Sequence, residues 1–141
     1  RKVIEYIKHT ARALIFSASI TPSSAAAVLA ALDIIESEPE RRDHLWRNAR
    51  RMQMEFKRLG FDIGHSQTPI VPIRVGEDLE CFKFWRKLYD NGVFTNPVIT
   101  PAVPPGQGMI RTSYTATHTD EHLDKVVEVI ARVGRETGLI S

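Results

Sequence analysis

The sequence predicts an α/β fold: a small sheet of three or four strands covered by helices. Three observations point there. Long segments carry apolar residues at spacings of three and four, short alternating runs lie between them, and proline, glycine and asparagine mark the joints. The chain has 141 residues, 43% of them hydrophobic and 26% charged, which is ordinary for a globular protein and enough to bury a core.

Residues 1–9 read as a helix with Val3, Ile4 and Ile7 on one side. Ala13 to Ser19 reads as an extended connector. Thr21 followed by Pro22 is a helix start, a capping hydroxyl before a proline whose missing N–H costs nothing there. That helix runs to about Ser37, and its alanines (Ala25, Ala26, Ala27, Ala30, Ala31) suit close packing against another helix or subunit. Pro39 restarts a longer helix toward Gly60, with Leu45, Ala49, Met52, Phe56 and Leu59 as its apolar stripe. A domain boundary is therefore expected at Glu38–Pro39, between residues 1–38 and 39–141.

Ile70 to Val75 reads as a strand that turns through Gly76-Glu77-Asp78 into a helix. Leu79, Phe82, Arg86 and Tyr89 mark one side of that helix, and Asn91-Gly92 stops it. Val93 to Thr95 reads as a short strand. Thr119 caps a final helix whose Asp120 and Glu121 complement its dipole. Leu123, Val126, Val127, Ile130 and Val133 are its expected buried stripe, and Gly138 ends it.

Composition excludes several classes of function. A net charge of +2, with no basic stripe interleaved with aromatics, gives no footprint for nucleic acid. No apolar run approaches a membrane span, and no stretch has the pattern of a secretory leader. The single Cys81 excludes an internal disulfide and fits a reducing, cytoplasmic setting. The five histidines show no ligand spacing with Cys81 or one another, so no metal is expected.

The most informative stretch is Pro101 to His118, PAVPPGQGMIRTSYTATH, a proline-punctuated loop feeding a strand. Alternation places Met109, Arg111, Ser113 and Thr115 on one face and Ile110, Thr112 and Tyr114 on the other. A guanidinium fixed on a strand is a planar fork suited to a carboxylate, and Arg111 is the candidate for that role. Ser17-Ala18-Ser19 offers hydroxyls and turn amides that suit a phosphate.

Taken in order, these segments resemble the α-oxoamine synthases, a pyridoxal-phosphate family of fold type I. Pro101, Pro104 and Gly106 match its P-x-x-P-x-G loop, Ile110-Arg111-Thr112 its arginine strand, and Ala116 with His118 its Ala-x-His. Phe16-Ser17-Ala18-Ser19 with Pro22 resembles F-S-x-S-x-x-P, and Leu45 to Arg50 resembles several members. The resemblance is nearest to bacterial serine palmitoyltransferase-like and glycine C-acetyltransferase members.

That resemblance implies a largely antiparallel sheet in a small C-terminal domain, with residues 1–38 belonging to the large-domain side. It implies decarboxylative condensation of an amino acid, L-serine favoured, with an acyl-CoA to give an aminoketone, the first step of sphingolipid synthesis. Arg111 would hold the amino-acid carboxylate. Ser17, Ala18 and Ser19 would bind the cofactor phosphate across a homodimer. The family's cofactor lysine follows Ser or Thr and precedes a glycine-rich run, a form that none of Lys2, Lys8, Lys57, Lys83, Lys87 and Lys125 has. The chain is therefore expected to be the C-terminal part of a longer enzyme, inactive alone, with no catalytic residue of its own. Glycine C-acetyltransferase or another α-oxoamine synthase is the alternative, and a non-catalytic module binding a carboxylate or a partner is a second. His118 reads as a structural hydrogen-bonding residue.

Overall fold

A computed structural model describes all residues, 1–141. The chain divides into two compact units, Arg1–Glu38 and Pro39–Ser141.

The first unit holds three helices, α1 (Lys2–Thr10), α2 (Arg12–Ile15) and α3 (Pro22–Ser37). Thr21 caps α3 as its sequence predicts, its side chain accepting from the Ser24 N–H. The connector expected from Ala13 to Ser19 is shorter than its reading. Arg12-Ala13-Leu14-Ile15 closes one helical turn, because helix-favouring residues there satisfy the Ile15 and Phe16 amides on Ala11 and Arg12 carbonyls. Irregular backbone is confined to Ser17–Ile20. None of the three helices has a buried residue.

The second unit contains α4 (Pro39–Arg58), β1 (Ile70–Gly76), α5 (Asp78–Asp90), β2 (Asn96–Val98), β3 (Gly108–Ser113) and α6 (Asp120–Glu136). The strand order is β1-β3-β2, and β3 runs antiparallel to both neighbours. β1 and β2 are thus parallel, joined by α5, with β3 inserted between them in a split βαβ arrangement.

Register makes the sheet two-faced. Val71 pairs with Thr112 and Ile73 with Ile110, and all four are buried on the helix side. Met52 and Phe56 of α4, Phe84 and Leu88 of α5, and Leu123, Ile130 and Val133 of α6 complete that core. Gly134 lets α6 approach closely, since a Cβ there would lie 2.5 Å from Phe61 Cζ. On the opposite face one row crosses the sheet as Pro72, Arg111 and Asn96.

The side of α5 marked by Leu79, Phe82, Arg86 and Tyr89 is the solvent side, where all four are exposed. Cys81, Phe84 and Leu88 form the competing stripe at the same spacing, and that stripe meets the sheet. The strand expected at Val93–Thr95 pairs three residues later, at Asn96–Val98. Val93 and Thr95 are buried, but the Val93 amide is taken by the Leu88 carbonyl at the end of α5. Pro97 is tolerated because β2 is an edge strand.

Candidate functional site

The exposed end of β3 and the first turns of α6 border a concavity of about 580 Å³. Residues 92–96 form another part of its lining, where the chain leaves α5 and reaches the first pair of the β2–β3 ladder. The ladder between β2 and β3 starts at the pair Asn96–Arg111, so β3 beyond Arg111 has no strand on that side.

Arg111 lies in this lining, on the sheet face away from the core. Its immediate neighbours Ile110 and Thr112 are buried, and Thr112 is pinned by its hydroxyl to the Val71 carbonyl at 2.7 Å. The backbone under the guanidinium is therefore held by the central strand, while the side chain itself is exposed and makes no ion pair or hydrogen bond within the chain. Arg74, on the same face, contrasts with it: its guanidinium is 3.4 Å from Asp62. No aspartate or glutamate lines the Arg111 concavity. An unpaired planar fork in an acid-free hollow has the shape and charge that suit a carboxylate.

The turn after β3 is anchored from α4. Asn48, 1% exposed, donates through Nδ2 to the Thr115 and His118 carbonyls at 3.0 Å each. His118 Nδ1 accepts from the Thr115 N–H at 3.3 Å, which agrees with the structural role read for it. His122 sits at the third position of α6, where its ring accepts from the Thr119 N–H while its own N–H bonds the Thr119 hydroxyl, a reciprocal cap. Arg51 ties the same end of α6 to α4 through Asp120 and Asp124. The Tyr114 and Thr95 hydroxyls are buried in the wall without a partner, and burial pushes the Tyr114 phenol well up.

Burial, followed by the charge of neighbouring His122, holds His118 below the ordinary imidazole value of 6.5. A depressed imidazole binds its proton more weakly folded than unfolded, so its contribution to stability is complete above pH 6.5 and is lost as the pH falls below it. Protonation also removes the acceptor that the Thr115 amide uses. The thermal midpoint should therefore fall between pH 7 and pH 5.5, and His118→Gln should flatten that fall. Parallel pH profiles for the two proteins would show that His118 is not responsible.

Of the residues singled out from sequence, Arg111 and His118 share this concavity. Ser17, Ala18 and Ser19 lie in the first unit, exposed, just after α2. The Ser17 hydroxyl donates to the Leu14 carbonyl at 2.7 Å, and its amide bonds the same oxygen. The Ala18 and Ser19 amides and the Ser19 hydroxyl make no bond within the chain, which leaves donors of the kind a phosphate takes. Asn48, Asn96, His122 and Lys125 were not picked out as site residues. The one signal for Asn48 is a polar residue beside the α4 stripe, and helical spacing alone does not show that it is buried.

No group of histidine, cysteine, aspartate or glutamate side chains is arranged to hold a metal ion, and no helix is long and apolar enough to cross a membrane.

Comparison with known proteins places this geometry. The family pattern described as aminotransferase class I and II matches residues 1–130. A serine palmitoyltransferase of Sphingobacterium spiritivorum is 43% identical over 139 residues, covering 99% of this chain and 35% of that protein. An 8-amino-7-oxononanoate synthase of Symbiobacterium thermophilum is 44% identical over 140 residues, with 99% and 36% covered. Among solved structures, Sphingomonas wittichii serine palmitoyltransferase superposes with a TM-score of 0.87 at 27% identity, over 98% of this chain and 35% of that one. A high-resolution structure of SPT with PLP gives 0.86 at 30% identity, with 97% and 35% covered. The chain thus spans about a third of the length of these relatives. The α-oxoamine synthase resemblance and the fold type I expectation are both borne out, and 8-amino-7-oxononanoate synthases stand among the relatives beside the serine palmitoyltransferases. On the strength of a pattern that runs from residue 1 to residue 130, the chain belongs to the aminotransferase class I and II family.

Proposed function

We propose that this chain is the C-terminal third of a pyridoxal-phosphate-dependent α-oxoamine synthase, in which residues 39–141 form the small domain and residues 1–38 belong with the large one. The observation that carries the reading is the unpaired Arg111 guanidinium on the central strand of an acid-free hollow. In this reading Arg111 takes the carboxylate of an amino acid through two parallel hydrogen bonds.

Holding the carboxylate decides which bond to the substrate Cα stands ready to break, so Arg111 orients the reaction as well as binding for it. The grip has to release later, because the same carboxylate leaves as carbon dioxide. An exposed side chain on a fixed strand gives both properties, since the backbone is rigid and the long side chain is not. Asn96, its partner across the ladder, presents a neutral amide beside it.

The donors on Ala18 and Ser19 fit the cofactor's phosphate, and we assign Ser17-Ala18-Ser19 to hold it across a homodimer interface. When bound, the cofactor supplies the electron sink that stabilises negative charge at Cα. L-serine and a long-chain acyl-CoA are the favoured substrates, as in serine palmitoyltransferases, with other α-oxoamine synthase substrates as the alternative.

Borohydride reduction of the full polypeptide with pyridoxal phosphate, followed by peptide mass mapping, tests the assignment. One reduced cofactor on a lysine outside this chain is expected. An adduct on any of the six lysines here, or none at all, would overturn it.

A further inference from the structure

Lys125 is left unused by the reading above, although it lines the same concavity as Arg111. It is exposed on α6 and makes no ion pair. Its ammonium lies over the Gly92 turn, 3.4 Å from where a Cβ on that glycine would stand. Glu121 and Glu128 are one turn away on the same helix, yet neither bonds it. Several other cations on this unit are paired with carboxylates: Arg51 with Asp120 and Asp124, Arg86 with Asp90, Lys83 with Glu80, and Lys87 with Glu136.

The concavity therefore has a one-signed lining. Arg111, Lys125, His118 and His122 are its groups able to carry positive charge, and no carboxylate offsets them. A hollow lined by one sign of charge concentrates ligands of the other. The spacing of the two permanent cations is bounded by the chain. Gly92, under Lys125, is four residues from Asn96, at most about 14 Å of extended backbone, and Asn96 is the ladder partner of Arg111. Two unpaired cations so placed mark two ends of one elongated site.

We propose that Lys125, with His122 one turn before it, binds a second anionic group, carried by the acyl donor. The proposal rests on the reading that Arg111 holds the amino-acid carboxylate. The second group is an oxyanion, supplied either by a phosphate of coenzyme A or by a terminal carboxylate on the acyl chain. An ammonium on a flexible stem takes either as a point charge.

The test compares wild type, Lys125→Glu and Arg111→Ala in the full-length, cofactor-loaded enzyme. Lys125 is exposed and bonds nothing in the fold, so its reversal leaves folding intact. Coenzyme A binding is read by titration calorimetry. Donor KM is read for a monocarboxylic acyl-CoA, the same acyl group on N-acetylcysteamine, and a dicarboxylic acyl group on N-acetylcysteamine. Lys125→Glu is expected to raise the KM of donors bearing the second anion by about tenfold, with the amino-acid KM unchanged. A rise confined to the CoA donor, with weaker coenzyme A binding, identifies the phosphate; a rise confined to the dicarboxylic thioester identifies the carboxylate. No rise with any donor overturns the proposal. The Arg111→Ala enzyme separates the two ideas: a raised amino-acid KM there leaves the reading of Arg111 standing when Lys125→Glu is silent, and an unchanged one removes that reading instead.

Discussion

Replacing Arg111 with alanine should raise the amino-acid KM by about 100-fold in the full enzyme. A hydrogen bond to a charged group contributes roughly 1.5–3 kcal/mol, and losing a bidentate pair removes two of them. Tenfold in affinity corresponds to about 1.4 kcal/mol, so 100-fold is a conservative figure that allows water to replace part of the interaction. The fold should not suffer, because the side chain is exposed and bonds nothing within the chain. Arg111→Lys should recover only part of the loss, since it restores the charge without the fork. Steady-state kinetics with the amino acid as varied substrate gives the answer, and unchanged values for Arg111→Ala would sink the carboxylate assignment.

Gly108→Ala is the substitution expected to damage the fold most for its size. Gly108 opens β3 opposite Gly76, at the irregular end of the β1–β3 ladder. A Cβ there would stand 2.5 Å from Cys81 Sγ and 2.7 Å from the Gly76 carbonyl oxygen. The thiol cannot swing into open space, because Cys81 is fully buried on the inner side of α5. The carbonyl belongs to the neighbouring strand and moves only with the sheet. Forcing a methyl into such a place costs about 3 kcal/mol, measurable as a shift in the denaturant midpoint. Cys81→Ala in the same chain should return part of that loss and no more, since the Gly76 oxygen remains. Full recovery would mean that the thiol alone sets the constraint.

The fold was legible from the sequence wherever local rules and burial agree. Thr21 and Thr119 cap the helices they were expected to cap, and the α4 stripe is buried at Ala49, Met52 and Phe56. The two faces of β3 also follow directly from alternation, with Ile110, Thr112 and Tyr114 inside and Arg111 outside. Helix α5 shows where such rules fail. Leu79, Phe82, Arg86 and Tyr89 compete with Cys81, Phe84 and Leu88 at the same periodicity, and periodicity does not say which stripe meets the sheet. For β2, the extended run was read at Val93–Thr95, but hydrogen bonding begins only at Asn96, after α5 has finished with the Val93 amide.

The candidate site divides in the same way. By itself the sequence determined that Arg111 stands on the strand face opposite Ile110, Thr112 and Tyr114, because a two-residue period is a property of the extended backbone. Only the tertiary structure decided that this strand is central and that residues 92–95 stay outside its ladder. It also decided that Asn48 reaches across from α4 to hold the following turn, and that Lys125 shares the hollow without a carboxylate. Those contacts join residues up to 70 positions apart. No local pattern encodes them, since they exist only once the core formed by α4, α5, α6 and the sheet has brought those segments together.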